Sequence, residues 1–250
     1  MGKFLLKFFI VFLILLFSIA VYLAYFGIET DRFDQSIKQK ANESNRYVEF
    51  EFNKTKIHLN LREFNIFIKL QEPKIIVKGS EIKLSRIDLV LSLKSLYTRK
   101  VILKSIEVEF KKNKINDLAK ITNIYLPKFI NKKIKKAFKE GSIEGKFKIP
   151  FSNNGDFMNS FIFNGRVLNA SININDDYKI KNLTTIVNYE KYPLEKIEEL
   201  RIDVKKGFFL NLNLSDSYLK IKFEDKKNIV ESIIASKGKL NFNNVKKVSS

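Results

Sequence analysis

His58 is the single imidazole of the chain, and cysteine is absent. One imidazole without a thiolate makes no zinc site, and no serine motif of the nucleophile-elbow type accompanies it. His58 falls between Ile57 and Leu59 on the polar side of an alternating segment, the ordinary place for a surface histidine. Glu49 with Glu51, and Glu107 with Glu109, each put two carboxylates on one strand face. A glycosidase needs such a pair flanking its substrate, one with a raised pKa. Both pairs here lie opposite apolar positions, where solvated charge is expected. Gly141-Ser142-Ile143-Glu144-Gly145 lacks the lysine and spacing of a phosphate loop and reads as a turn entering a strand. No catalytic residue, metal ligand set or cofactor site emerges, so an enzyme is not expected.

The elements around these residues carry more information. From Phe8 to Phe26 the chain is uncharged, with Ser18 its only aliphatic hydroxyl. Nineteen residues at about 1.5 Å each give about 28 Å of helix, close to the hydrocarbon thickness of a bilayer. No polar stripe marks it as the buried helix of a soluble domain. Lys3, Lys7 and the terminal amine make the N-terminal flank basic, whereas Glu29, Asp31 and Asp34 stand beside Arg32 on the other. The positive-inside rule puts the N-terminus in the cytoplasm and the bulk outside. A cleaved signal peptide competes, since Ser18-Ile19-Ala20 offers small residues to a peptidase. The apolar run continues six residues past Ala20, which favours an uncleaved inner-membrane anchor with a periplasmic bulk.

The formal net charge is +19, and 39 of the 46 basic residues are lysine. A polyanion partner is one reading. Nucleic-acid sites favour arginine for its planar fork, however, and no basic-aromatic interleaving suits base stacking. The Lys, Ile, Asn and Phe excess fits AT-rich codon usage instead, and nucleic acid is not expected as a partner. Sequons such as Asn182-Leu183-Thr184 are likewise ordinary in so Asn-rich a chain.

Residues 1–28 thus read as cytoplasmic start and anchor, and 29–46 as a polar connector with helical potential. Residues 47–250 read as a β domain. Val48, Phe50 and Phe52 alternate with Glu49 and Glu51, and strict period two recurs through most of the domain. Such strands have one apolar and one wet face, the mark of antiparallel sheet. A helical segment is expected over about 115–140. Leu126, Phe129, Ile130, Ile134 and Phe138 share one face, lysines fill the other, and Gly141 stops it. Lys132, Lys133, Lys135 and Lys136 are candidate membrane-surface contacts, against a simpler reading in which the helix caps the sheet. The last expected strand is Lys239 to Phe242, leaving an exposed sheet edge that a protein partner could pair with. The fold class is therefore mainly β (α+β), a transmembrane helix followed by an extended antiparallel sheet with one helical segment.

The segment IDLVLSLKSLYTRKVILKSIEVEF, Ile87 to Phe110, carries a resemblance. Leu93-Lys94-Ser95-Leu96-Tyr97, then Arg99-Lys100, then Ile102 and Ile106-Glu107-Val108, following one N-terminal membrane helix, resembles the AsmA-like family (the AsmA, TamB and YhdP group of the Gram-negative envelope). The resemblance covers roughly residues 1 to 115 and is one of apolar spacing. It implies a long, bent sheet of the chorein type with an apolar concave face, and phospholipid transport or outer-membrane assembly. It transfers no catalytic or cofactor residue. The expected lipid groove is the apolar face formed by Ile57, Leu59, Leu61, Ile66, Ile68, Ile82, Leu84, Leu89, Leu91, Ile106, Val108 and Phe110. A non-transporting envelope scaffold, with that face closed as a core, is the alternative.

Overall fold

The computed structural model describes residues 2–32, 34–43, 48–77, 79–98, 100–118, 137–175, 178–210, 212–224 and 228–239. Helix α1 (Gly2–Tyr25) contains a span, Leu5–Tyr25, of mean hydropathy 2.7 in which no residue is buried within the protein. It is long and apolar enough to cross a membrane, and about 30 Å of helix matches the bilayer core. Gly27, at φ 69°, turns the chain directly into β1 (Ile28–Thr30). Helix α2 (Asp34–Glu43) follows, as the connector's composition led one to expect.

Fifteen strands form one antiparallel sheet among the described residues. The first seven are β1, β2 (Val48–Glu51), β3 (Thr55–Asn60), β4 (Asn65–Leu70), β5 (Lys74–Val77), β6 (Ser80–Ser92) and β7 (Leu103–Lys114). The remainder are β8 (Phe138–Pro150), β9 (Phe161–Asn173), β10 (Lys179–Tyr192), β11 (Ile197–Phe209), β12 (Leu212–Leu214), β13 (Ser217–Phe223), β14 (Asn228–Ile233) and β15 (Ser236–Lys237). A one-turn helix, α3 (Lys94–Thr98), joins β6 to β7. The main path runs β1-β3-β4-β6-β7-β8-β9-β10-β11-β12-β15, with β13 and β14 branching from β11 and the β2–β5 pair branching from β6.

A line of irregularities crosses this sheet obliquely, stepping along the strands from β6 to β8. Register shifts fall between Leu84 and Arg86 on β6 and between Phe110 and Asn113 on β7. They continue around Gly141 on β8, between Leu168 and Ala170 on β9, and around Asn182 on β10. Gly141, Asn169 and Asn182 have φ of 121°, 48° and 50°, conformations that glycine and asparagine tolerate and that bulges require. Each bulge also advances the phase of alternation by one residue. Apolar positions switch from Ile82 and Leu84 to Ile87 and Leu89, and from Phe163 and Val167 to Ala170 and Ile172, so the same face stays apolar while the strands bend.

Part of that face is covered. Phe50, Phe52, Leu70, Val77, Ile82, Leu84 and Ile87 form a fully buried cluster, packed by Ile37 of α2, Ile75 of β5 and Leu118. Asn42 Oδ1 accepts the Phe50 amide at 2.7 Å, which ties α2 to β2. The polar connector therefore belongs to the β domain as its local lid.

The expected helix over 115–140 needs correction at its far end. A helical turn starts at 115–118, and residues 119–136, including Lys132, Lys133, Lys135 and Lys136, lie outside the described residues. Phe138, Lys139 and Glu140 open β8, and Gly141 lies within that strand instead of ending a helix. The pairing of Phe138 with Ile172 on β9 supplies the reason, since cross-strand pairing outweighs local amphipathic spacing. The strand expected over Lys239 to Phe242 lies beyond the described residues but for Lys239.

Candidate functional site

Register places the apolar side chains in continuous rows. Ile57, Ile68, Leu89, Ile106 and Ile149 stand side by side on β3, β4, β6, β7 and β8. A second row runs Leu70, Ile87, Val108, Phe147, Phe163, Tyr189, Leu200, Ile221 and Val230, one residue on each of nine strands. A third runs Leu84, Phe110, Gly145, Gly165, Val187, Ile202 and Leu219. Burial falls along the second row: Leu70 is 3% exposed and Ile87 7%, Val108 to Ile221 are half-buried, and Val230 is 60% exposed. The face is a closed core under α2 and β2 and is half-buried along the rows from Phe147 to Ile221, and it closes again at the bulges, where Ile115 lies against Gly141 beside Ala170 and Leu183 and Thr185 are buried.

Of the twelve expected groove residues, Ile57, Leu59, Ile66, Ile68, Leu89, Leu91 and Ile106 share this face and are half-buried. Val108 and Phe110 flank the core cluster. Ile82 and Leu84 are 1% and 3% exposed within it, so they are packing residues and offer no surface to a lipid. Leu61 stands past the end of β3 in the β3–β4 turn. The most open part of the face was not among the expected positions. It comprises Phe147, Phe163, Val187, Tyr189, Leu200 and Ile202, and β10 continues the alternation into Thr185 and Leu183, which are buried.

Two features shape the open stretch. Gly145 and Gly165 face each other, and the Phe163 ring lies over them: a Cβ on Gly165 would stand 2.5 Å from the Phe163 ring and 2.7 Å from the Glu144 carbonyl oxygen. Aromatic cover of a glycine pair keeps the face apolar where side chains are missing. Phe147, Phe161, Phe157 and Phe151 continue as a chain of ring contacts with centroids 5.9–6.1 Å apart. A polar rim bounds it, where Lys191 meets Glu198 at 2.9 Å and the Tyr189 hydroxyl donates to Glu198 Oε1 at 2.9 Å. Burial, reinforced by Glu198, pushes the Tyr189 hydroxyl up to about 12.

The opposite face is charged and internally paired. Arg86 Nε holds Asp88 at 2.9 Å, Lys148 holds Glu107 at 2.8 Å, Arg166 holds Glu144 at 2.6 Å and Lys220 holds Glu199 at 2.9 Å. Burial alone would raise the Glu107 carboxyl, but the Lys148 ammonium and the Ser105 hydroxyl outweigh it and leave it below the usual range. Glu107 and Glu109 are thus structural ion-pair partners, with Lys146 3.7 Å from Glu109. His58 does lie on this polar face. Burial first, then Lys69 and Lys56, hold its imidazole below the ordinary value, and it packs where Gly27 leaves the anchor. A cavity of about 660 Å³ also opens here, between Glu109, Glu144, Lys146, Asn164, Arg166 and Asn188. Its ion-paired walls make it a solvated furrow. This cavity lies on the charged face of the sheet.

Among the described residues no group of three or more potential ligating side chains could hold a metal ion. No family model, curated protein or solved structure matches the chain.

Proposed function

We propose that the chain is a membrane-anchored protein of the AsmA-like type, held in a bacterial inner membrane with its bulk in the periplasm. Its open apolar face receives phospholipid acyl chains, in envelope lipid transport or outer-membrane assembly. The observation that carries the reading is the uncovered strip from Phe147 to Ile221. If about a dozen half-buried side chains each keep about 40 Å² of apolar surface, the strip reaches about 500 Å², at the upper end of what monomers leave exposed. Covering it with an acyl chain removes apolar area from water at about 25 cal/mol per Å², on the order of 10 kcal/mol before the costs of binding. The orientation rests on Lys3 and Lys7 flanking α1.

The test is lipid carried through purification, measured by native mass spectrometry on the full chain and on Val187→Lys combined with Ile202→Lys. These two residues are direct cross-strand neighbours on the open strip. The double variant should lose bound phospholipid and keep its melting temperature. A wild-type chain carrying no lipid refutes the reading, as does a variant that unfolds.

The scaffold alternative rests on β14, which among the described residues pairs on one side only and has every residue exposed, Ile229, Val230 and Ile233 included. Strand addition there would give a stoichiometric protein partner in place of lipid.

A further inference from the structure

The loops joining the strands divide between two ends of the sheet, and the end at which the anchor arrives differs in character. β1 runs antiparallel to β3 with Ile28 opposite Ile57 and Thr30 opposite Thr55, so α1 meets the sheet where β3 finishes. Ala24 and Tyr25 in the last turn of α1 line a cavity of about 490 Å³ together with Asn60 at the end of β3 and Leu61 of the β3–β4 turn. From there the loops are stitched together. The Leu93 amide donates to the Phe64 carbonyl at 3.0 Å, the Ser92 amide to the Ile102 carbonyl at 2.9 Å, and the Phe151 amide to the Lys104 carbonyl at 2.8 Å. Gly155 then lies against Ile102 and Leu103.

Each of these three connections presents large apolar side chains to solvent. Leu61 and Phe64 of the β3–β4 turn are 40% and 69% exposed. Leu96, Tyr97 and Val101 between β6 and β7 are 68%, 72% and 81% exposed, and Phe157 between β8 and β9 is 59% exposed. Exposed Arg62, Lys94 and Lys100 alternate with them. At the opposite end, Ile174 at 58% and Ile234 at 78% are the comparable side chains among the described loop residues, and they stand on separate connections. Isolated exposed apolar residues need no explanation, but a contiguous row at the anchored end does. Apolar tips interleaved with long basic side chains suit a bilayer interface, where the tips enter the acyl boundary and the cations reach back to phosphates.

We propose that this row of loops is a membrane-seating surface. Leu61, Phe64, Leu96, Tyr97, Val101 and Phe157 enter the outer part of the leaflet from which α1 emerges. The strands then stand upright on the bilayer, and the apolar face opens onto it at one end. The partner is the lipid surface itself, because α1 fixes this end of the sheet at that surface. The proposal rests on α1 lying in a membrane and stands whether or not the apolar face carries lipid.

The test uses the full chain reconstituted into vesicles of phosphatidylethanolamine and phosphatidylglycerol. The chain has no cysteine, so Phe64→Cys, Tyr97→Cys, Phe157→Cys and, as the far-end control, Ile174→Cys each give one labelling site for a polarity-sensitive fluorophore. All four positions are exposed, so labelling leaves the fold in place, which circular dichroism checks. At the three loop sites emission should shift to the blue and be quenched several-fold more by nitroxide-bearing lipids than at Ile174→Cys. Quenching confined to Phe64→Cys would overturn the proposal, since nearness to α1 alone explains it. Equal quenching at all four sites would also overturn it, by showing a sheet lying flat on the membrane. Labels shielded from aqueous iodide yet insensitive to nitroxide lipids would mean a protein covers the row, which overturns it too. Phe64 and Tyr97 lie outside the ring contacts of the strip, so their readouts are independent of whether lipid is retained on it.

Discussion

Leu84 and Leu200 allow the open face to be tested with one and the same deletion. Leu84 is 3% exposed inside the cluster of Phe50, Val77, Ile82 and Ile87, whereas Leu200 lies half-buried between Tyr189 and Ile221. Truncating Leu84 to alanine removes the transfer free energy of the side chain and leaves an enclosed cavity, for about 3–4 kcal/mol. Truncating Leu200 removes a smaller transfer contribution, and the space left is continuous with solvent, so the cavity contribution vanishes and about 1–1.5 kcal/mol remains. For a chain of this size each kcal/mol moves the melting temperature by about 2–4 °C, so Leu84→Ala should fall by about 10 °C and Leu200→Ala by about 4 °C. Circular dichroism in detergent, followed at a strand wavelength, measures both. Equal losses at the two sites would refute the reasoning, because they would mean that Leu200 is as enclosed as Leu84 and that the sheet face is a closed core.

Asp88 is 2% exposed, and burial, partly opposed by Arg86, raises its carboxyl above the ordinary range. The folded chain therefore binds this proton more tightly than the unfolded one, and the associated stability, complete at low pH, is lost as pH rises through the raised value. Asp88→Asn cannot titrate, so its melting temperature should gain on wild type as pH rises from acid to neutral; a gap that moves the other way counts against the assignment. Gly165→Ala should cost about 2–3 kcal/mol by urea titration, since its Cβ meets both the Phe163 ring and the Glu144 carbonyl. Adding Phe163→Ala should relieve only the ring contact, and full rescue would show that the backbone approach is unimportant. A reporter fused after Ser250 should be active outside the cytoplasm, and replacing Lys3 and Lys7 by glutamate should scramble it; activity of a cytoplasm-only reporter in the wild type would reverse the orientation.

The sequence announces most of this architecture through period two, and it hides the rest for identifiable reasons. Helix α1 follows from uncharged length, α2 from a polar stretch without proline, and the strands around Ile57, Leu89, Ile106 and Ile202 from alternation. β10 does not, because the bulge around Asn182 separates Ile180 from Leu183 by three residues and breaks the alternation that continues through Thr185, Val187 and Tyr189. The same event leaves a readable trace elsewhere: between Leu84 and Ile87, and between Val167 and Ala170, the apolar phase slips by one. A single slip is a local irregularity. Slips on five adjacent strands form a continuous oblique line across the sheet, and only cross-strand register reveals that they join.

Whether the apolar face is covered has a different origin. Alternation assigns every strand from β3 to β13 the same kind of face, yet Leu70 is buried and Val230 is 60% exposed in one row. The difference comes from what lies over the face: Ile37 on a mostly polar helix, Phe50 and Ile75 on two short branching strands, and Phe52 just past the first of them, which pack with Leu70, Leu84 and Ile87. Beyond β7 the cover is local, with Ile115 against Gly141 beside Ala170, and Leu183 and Thr185 buried at the same bulges. Period two assigns a residue to a face, whereas cover depends on which distant segment returns to that face, and alternation carries no record of that.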